Sequence, residues 1–311
     1  MLKILEQLSY DRSLIKASLK STFEDHGGLK LLLKGHSKVL LKPNFVMPEA
    51  ADGCSTTHPD FYMSVAEILL EAGCTVGIGE SPAFGTCTKS LKFHKVYEEC
   101  LERGIHIVEF KKNPQYKGVD GDKNYSQLTV ASELQNWPAI INLPKLKVHQ
   151  QFMFTGAAKN LYGCVTGSRK FYRHNLCAND KVRFARMIIK NADQVDCVLH
   201  IGDGIQAMHV KGPRGGDPYP LGKIIVAGDY LSHDWIFCHL IDMDPLTTPL
   251  FKAVSLEEIN QVKRCCEETL NSNSFSIAPN FKHSYLVDIS FSPWHLLRSG
   301  WRGFKFKLKR A

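Results

Sequence analysis

Long apolar runs are missing from this 311-residue sequence. None approaches the roughly 18 residues that a membrane-spanning helix needs, so no transmembrane segment is predicted. The amino terminus, MLKILEQLSYDRSLIKASLK, interrupts its apolar positions with charges and lacks the apolar core of a signal peptide, which predicts a cytoplasmic protein. The ten cysteines include no C-x-x-C pair, so a zinc ribbon or a local iron–sulfur binding run has no support. Cys74, Cys197 and Cys238 fall inside apolar segments, where a reduced thiol behaves as a small hydrophobe. Scattered free thiols also fit a reducing compartment. A cluster gathered from distant cysteines stays open as an alternative. Two phosphate signatures are absent as well. No G-x-x-x-x-G-K-[ST] occurs, and Gly77-x-Gly79 lies within an apolar strand without the third glycine of a dinucleotide fingerprint. Internal repeats and low-complexity segments are also lacking.

Acids stop at Asp288, whereas Arg298, Arg302, Lys305, Lys307, Lys309 and Arg310 follow it. These six charges leave +2 for the rest of a chain whose net charge is +8, so the basicity belongs to the tail. A basic tail on a neutral body gives no specific reason to expect nucleic-acid binding. The tail, WHLLRSGWRGFKFKLKR, alternates Phe304, Phe306 and Leu308 with Lys305, Lys307 and Lys309. That period of two suits a lysine-protected edge strand, and the same residues could touch an anionic membrane surface.

What is present is an ordinary globular composition, 44% hydrophobic and 23% charged, long enough to bury a large core. Periodicity predicts helices over 11–23, 58–72, 88–103, 178–191, 230–242 and 256–271. Strands are predicted at 38–42, 74–79, 105–110, 139–142, 195–201 and 222–228, with a further one over 284–290. Residues 111–130 read as an irregular excursion or a small hairpin. The alternation predicts an α/β protein with mainly parallel sheets flanked by helices. We expect two lobes, 1–135 and 136–293, followed by the tail 294–311, with the site in the cleft between the lobes.

Four predicted strands end in polar or turn-forming residues: Lys42-Pro43-Asn44, Glu80-Ser81-Pro82, Asn142 through Lys147, and Gly202-Asp203-Gly204. In a parallel sheet such endings gather at one edge. The richest is the stretch from Ile140 to His174. It releases Lys145, Lys147 and His149, then Thr155-Gly156-Ala157-Ala158, Lys159-Asn160 and His174. Nine residues separate His149 from Lys159, and fourteen separate Lys159 from His174. Histidine moves protons near neutral pH or ligates a metal, and a semi-buried lysine holds an anion or carries an adduct. The bland alternative is a solvated basic face with two ordinary loop histidines. The small-residue run resembles a helix start whose N–H groups bind a carboxylate or phosphate. Glu80 reads equally as an acid/base group or a helix-side charge. Asp203, Asp229 and Asp234 could bind a divalent cation, while Asp203 and Asp229 suit helix capping equally well.

The ordered pieces Leu41-Lys42-Pro43-Asn44, Thr56-Thr57-His58-Pro59, Gly79-Glu80-Ser81-Pro82, Asn142 to His149, Thr155 to Asn160 with Gly163, His174, and Gly202-Asp203-Gly204 with Gly212-Pro213 resemble the family labelled domain of unknown function 362. Many members of that family carry ferredoxin-like cysteine runs, which this sequence lacks. The family in turn looks like a distant relation of the nickel-pincer lactate racemases. That resemblance implies Lys159 as a cofactor anchor, His174 as a metal ligand and His149 as an acid/base. Two positions depart from it: Lys42-Pro43-Asn44 stands in place of the racemases' Asp-x-Thr-Arg, and Glu80-Ser81-Pro82 in place of their second acid/base histidine.

The expected function is an enzyme acting on a small anionic carboxylate or phosphate, isomerase-like or an oxidoreductase. His149, Lys159, His174 and Glu80 are its candidate catalytic residues. Lys42, Asn44, Thr57, His58, Ser81, Lys145, Lys147, Thr155, Gly156 and Asn160 are candidates for binding substrate. A divalent metal would take His174 and Asp203. The competing readings are a redox protein holding an iron–sulfur cluster or another metal, and a non-catalytic protein that binds through its tail.

Overall fold

A computed structural model describes residues 1–50, 53–111, 130–167 and 169–289. The expected hairpin within 111–130 and the basic tail therefore lie outside the described residues. Strand β1 (Leu2–Glu6) leads to helix α1 (Arg12–Glu24) and the single turn α2 (Leu29–Leu32). Next come β2 (Lys38–Pro43), α3 (Pro59–Glu71), β3 (Thr75–Glu80), α4 (Cys87–Phe93), α5 (Tyr97–Glu102) and β4 (His106–Glu109). Strands β5 (Ala139–Leu143), β6 (Lys145–His149) and β7 (Met153–Thr155) precede α6 (Ala157–Leu161), α7 (Arg169–Leu176) and α8 (Lys181–Ala192). Strands β8 (Cys197–His209), β9 (Asp217–Tyr219) and β10 (Lys223–Ala227) are followed by α9 (Tyr230–Leu240), α10 (Pro249–Lys252) and α11 (Leu256–Leu270).

The ten strands of the described residues join one sheet whose main path runs β1-β10-β8-β5-β2-β3-β4. The five from β8 to β4 are parallel, whereas β1 and β10 pair antiparallel at the other end. The fold is thus the expected α/β type, and strands from both sides of residue 135 hydrogen-bond within it. After β2 the chain steps to β3 and β4 on one side, then returns as β5 on the other. Adjacent β2 and β5 therefore form the topological switch point, where crossovers leave in opposite directions and open a crevice at the carboxyl ends. Lys42 and Asn142 face each other in register there.

Local sequence explains the elements that frame this crevice. In β2, Val39 and Leu41 enter the apolar cluster with α1 and α3, while Leu40 joins Phe110, Trp137 and Ile140 on the other face. Helix α3 begins with Pro59 at its first turn and buries Phe61, Val65, Ile68 and Leu69. Gly77 and Gly79 have packing roles. A Cβ on Gly77 would meet the Trp137 ring at 2.4 Å, and one on Gly79 would meet Phe110 at 2.7 Å.

The structure corrects several expectations. Gly202-Asp203-Gly204 is no strand ending: all three residues lie inside β8, which runs thirteen residues. Its glycines admit neighbours rather than turn the chain, since a Cβ on Gly202 would meet His233 at 2.4 Å and one on Gly204 the Lys223 carbonyl oxygen at 2.7 Å. The helix expected over 88–103 is broken into α4 and α5 by Lys95, whose φ is 60°. No strand forms over 284–289. Strand β6 was not foreseen; it continues the line of β5 past Pro144 and pairs with the far half of β8.

Candidate functional site

Four lysines released near the switch point are nearly inaccessible: Lys42, Lys145, Lys147 and Lys170 are 0%, 1%, 1% and 9% exposed. An ammonium has three donors and pays heavily for burial unless acceptors surround it. Lys42 Nζ is fully engaged, donating to a Glu80 carboxylate oxygen, to the Pro43 carbonyl at 3.0 Å and to Asn160 Oδ1 at 3.3 Å. Gly163 leaves the space for this pair, because a Cβ there would meet Glu80 Oε1 at 2.3 Å and Lys42 Nζ at 2.5 Å.

Asn160 is the hub beside that pair. It accepts from Asn44 Nδ2 at 2.7 Å and donates to Asn142 Oδ1 at 2.8 Å and to the Lys42 carbonyl at 3.3 Å. Asn142 in turn donates to the Ala157 carbonyl at 3.0 Å and lies 3.0 Å from His200 Nδ1. Asn44 Oδ1 then accepts from Lys147 Nζ at 2.7 Å, and the Ser55 carbonyl is the second acceptor for the same ammonium. The asparagines thereby transmit the position of the Lys42–Glu80 pair to Lys147.

A pocket of about 180 Å³ opens over this network. Its lining includes Asn44, Glu80, Ser81, Lys147, His149, Thr155, Lys159, Asn160 and His174, together with Phe45, Gln151, Tyr162, Lys170 and Pro213. Three lysines line it without an ion pair to any carboxylate of the described residues. Burial pushes the Lys147 ammonium down to about 7, helped by Lys159 and Lys145 and opposed by Glu49. Burial and neighbouring Lys170 bring Lys159 to about 8. Lys170 is also brought to about 8 by burial, against the attraction of Glu80. Its Nζ donates to the Ser81 carbonyl.

Both histidines of the pocket are held neutral. Burial, followed by the charges of Lys159 and Lys147, holds His149 well below the usual imidazole range. The backbone N–H of Gln151 donates to His149 Nδ1 at 3.1 Å, which assigns the proton of the neutral ring to Nε2. Burial and Lys159 push His174 down to about 3, and its ring tilts against Phe184 with centroids 4.5 Å apart.

Other expected binding residues do different work. Lys145 donates to Asp203 Oδ2 at 2.9 Å and to the Tyr10 hydroxyl at 2.7 Å. Tyr10 donates to Asp203 Oδ1 at 2.8 Å and stacks on His58 with centroids 3.7 Å apart. The His58 backbone N–H also donates to Asp203, at 2.9 Å. Thr57 Oγ1 accepts from the Asn44 N–H and donates to the Leu143 carbonyl, each at 2.8 Å. The N–H groups of Ala157 and Ala158, expected to bind a ligand anion, already hold the Asp234 carboxylate at 2.5 and 3.1 Å. Gly156 makes that contact feasible, since a Cβ would meet Asp234 Oδ1 at 2.1 Å. Asp229 caps α9 by accepting from Ser232 N at 2.7 Å.

Lys170 is the main residue that sequence reasoning passed over. Its signal was available, since it lies between Lys159 and His174 in the same stretch. Tyr10 carried no local signal, because it meets Asp203 across 193 residues.

Residues 39–239 match the family described as domain of unknown function (DUF362). The chain belongs to the DUF362 family. Every pocket residue named above falls within the matched DUF362 span. Among relatives, "Thylakoid-associated protein sll1697" of Synechocystis sp. is 31% identical over 303 residues, 97% of this chain and 93% of its own length.

The three positions implied by the distant resemblance to racemases, His149, Lys159 and His174, do line one pocket. Asn44 and Glu80 stand where the racemases differ, and both are tied into the Lys42–Asn160 network. Asp203 is held by Lys145 and Tyr10, away from the pocket lining that contains His174. Among the described residues no three His, Cys, Asp or Glu side chains converge as a ligand set. The described residues include all ten cysteines, so that statement covers the distant-cysteine cluster too. They also include no helix long and apolar enough to cross a membrane.

Proposed function

We propose that this protein is an enzyme acting on a small anionic substrate, a carboxylate or a phosphate, by acid/base chemistry at the switch-point pocket. The observation that carries this reading is the trio Lys147, Lys159 and Lys170 around one pocket, none ion-paired to a carboxylate. Glu80, the acid in the lining, is already engaged by Lys42. An anion supplies the missing counter-charge, and the burial of Lys147 and Lys170 strengthens that attraction. The size agrees with a small ligand, because drug-sized molecules occupy pockets of about 300 Å³ or more. His149, with its proton on Nε2, and His174 stand beside the anion site as proton-transfer groups.

Bound anion raises the lysine pKa values, so binding takes up protons near neutral pH. Affinity therefore falls as pH rises through the range of about 7 to 8 at which Lys147, Lys159 and Lys170 lose charge. Calorimetric titration with sulfate, which does not itself titrate there, checks this in buffers of different ionisation enthalpy. Retention of full sulfate affinity by Lys147→Met and Lys159→Met would sink the proposal.

The thylakoid association of the relative, taken with the acid-free basic tail, supports a second reading as a peripheral binder of anionic membrane. Cosedimentation with anionic vesicles, unchanged by deletion of residues 294–311, would remove this reading.

A further inference from the structure

The lysines around the switch point differ in how many acceptors each holds. Lys42 donates to three, Lys145 and Lys147 to two each, and Lys170 to one. Lys159 donates to none among the described residues. It is half-buried, with Nζ 6.0 Å from the Phe152 ring centroid and 5.9 Å from that of Phe184. Among the described residues a charged ammonium in that position meets ring faces and no acceptor, whereas a neutral amine needs none. Its lone pair is then available for bond formation. The spare N–H groups of Lys147 and Lys170 line the same pocket and can hold the oxygens of a ligand carboxylate.

Building on the proposed anion site, we infer that Lys159 is a nucleophile that forms an imine with a small 2-oxo acid, whose carboxylate is bound by Lys147 and Lys170. The volume of about 180 Å³ suits such a molecule, since a cavity of about 150 Å³ accommodates benzene. The Lys159 amine attacks the ketone carbon, forming the C–N bond and sending the π pair to oxygen. That oxygen takes a proton from a neighbouring ammonium to give the carbinolamine. The nitrogen lone pair then forms C=N while the C–O bond breaks. Of the two protons that leave nitrogen, one restores the ammonium that protonated the oxygen and the other reaches the hydroxyl, which departs as water. An amine and a carbonyl become an imine and water, with no oxidant or reductant required. The titration of Lys159 near 8 agrees, because a useful fraction is unprotonated at neutral pH.

The test incubates the full-length protein with pyruvate and cyanoborohydride, which reduces an imine to a stable secondary amine. Intact mass and peptide mapping then locate the product, and sulfate titration is run on the same preparation. The expected result is one adduct per chain, mapped to Lys159, suppressed by sulfate and lost in Lys159→Arg. Mapping in the unaltered protein keeps the test valid if that variant fails to fold. Adducts spread over surface lysines, insensitive to sulfate, overturn the inference. Sulfate binding without a Lys159 adduct overturns the imine alone and leaves the anion pocket standing. Absence of both overturns the two together.

Discussion

Lys145 and Lys147 stand two residues apart on β6, are equally buried, and have opposite surroundings. Lys145 meets a carboxylate, Asp203, bridged by the Tyr10 hydroxyl. Lys147 donates to the neutral oxygens of Asn44 and Ser55 and sits among Lys159 and Lys145, with the charge of Glu49 acting against them without an ion pair. The first arrangement is closed: its charges cancel, and it fastens β6 to β8 and to the loop before α3. The second is open, carrying excess positive charge beside a pocket. A buried ion pair is a structural join, whereas buried cations in excess over the nearby acids are what our proposal reads as a site for an anion.

The comparison breaks most severely at Asp203. Asp203→Ala strands the Lys145 charge in the interior and leaves the Tyr10 and His58 donors without their acceptor. Denaturant unfolding is expected to show a loss of about 3–5 kcal/mol. A loss below 1 kcal/mol would mean the pair does not fasten β6. Gly163→Ala comes next, because its Cβ would fall 2.3 Å from Glu80 Oε1 and force the Lys42–Glu80 pair apart. The cost expected for such overpacking is about 1–3 kcal/mol, with weaker sulfate binding as the Asn160–Asn44 chain shifts. Unchanged sulfate affinity in a folded variant would cut that proposed link.

Lys147→Met is expected to change stability least, by about 1 kcal/mol or less at pH 7. Removing an unbalanced charge offsets the loss of its hydrogen bonds to Asn44 and Ser55. The same variant loses sulfate binding. Its pH dependence gives the sharper reading. Lys147 titrates at about 7 when folded and at 10.5 in the free side chain. Between those values the unfolded chain holds the extra proton, so this group makes stability rise with pH across the window. The penalty is complete below about 7 and is relieved as pH approaches 10.5. The stability curve of Lys147→Met should therefore be flatter than that of the parent over this range. Parallel curves would show that Lys147 is not depressed.

Much of the scaffold was readable from residues close together in the chain. Helix α3 announced itself through the apolar spacing of Phe61, Val65, Ile68, Leu69 and Ala72 and through Gly73. The endings Lys42-Pro43-Asn44 and Glu80-Ser81-Pro82 do meet at one sheet edge, because parallel strands share a polarity. The spacing of His149, Lys159 and His174 located the pocket. Gly202-Asp203-Gly204 misled for a physical reason: glycine serves a turn and a close approach equally well, and local sequence does not distinguish them. The small residues before Lys159 misled similarly, since their helix start was already satisfied by Asp234, 77 residues further on.

By itself, then, the sequence determined the α/β alternation, two of the polar strand endings and the stretch whose His149, Lys159 and His174 line the switch-point pocket, all consequences of short-range periodicity and turn chemistry. Only the tertiary structure decided which lysines are neutralised. Lys145 finds its acid 58 residues away, and Lys147 finds an amide oxygen 103 residues away. Lys159 finds no acceptor among the described residues. Burial and pairing arise from contacts between distant segments, and they separate one lysine from another where residue type and spacing could not.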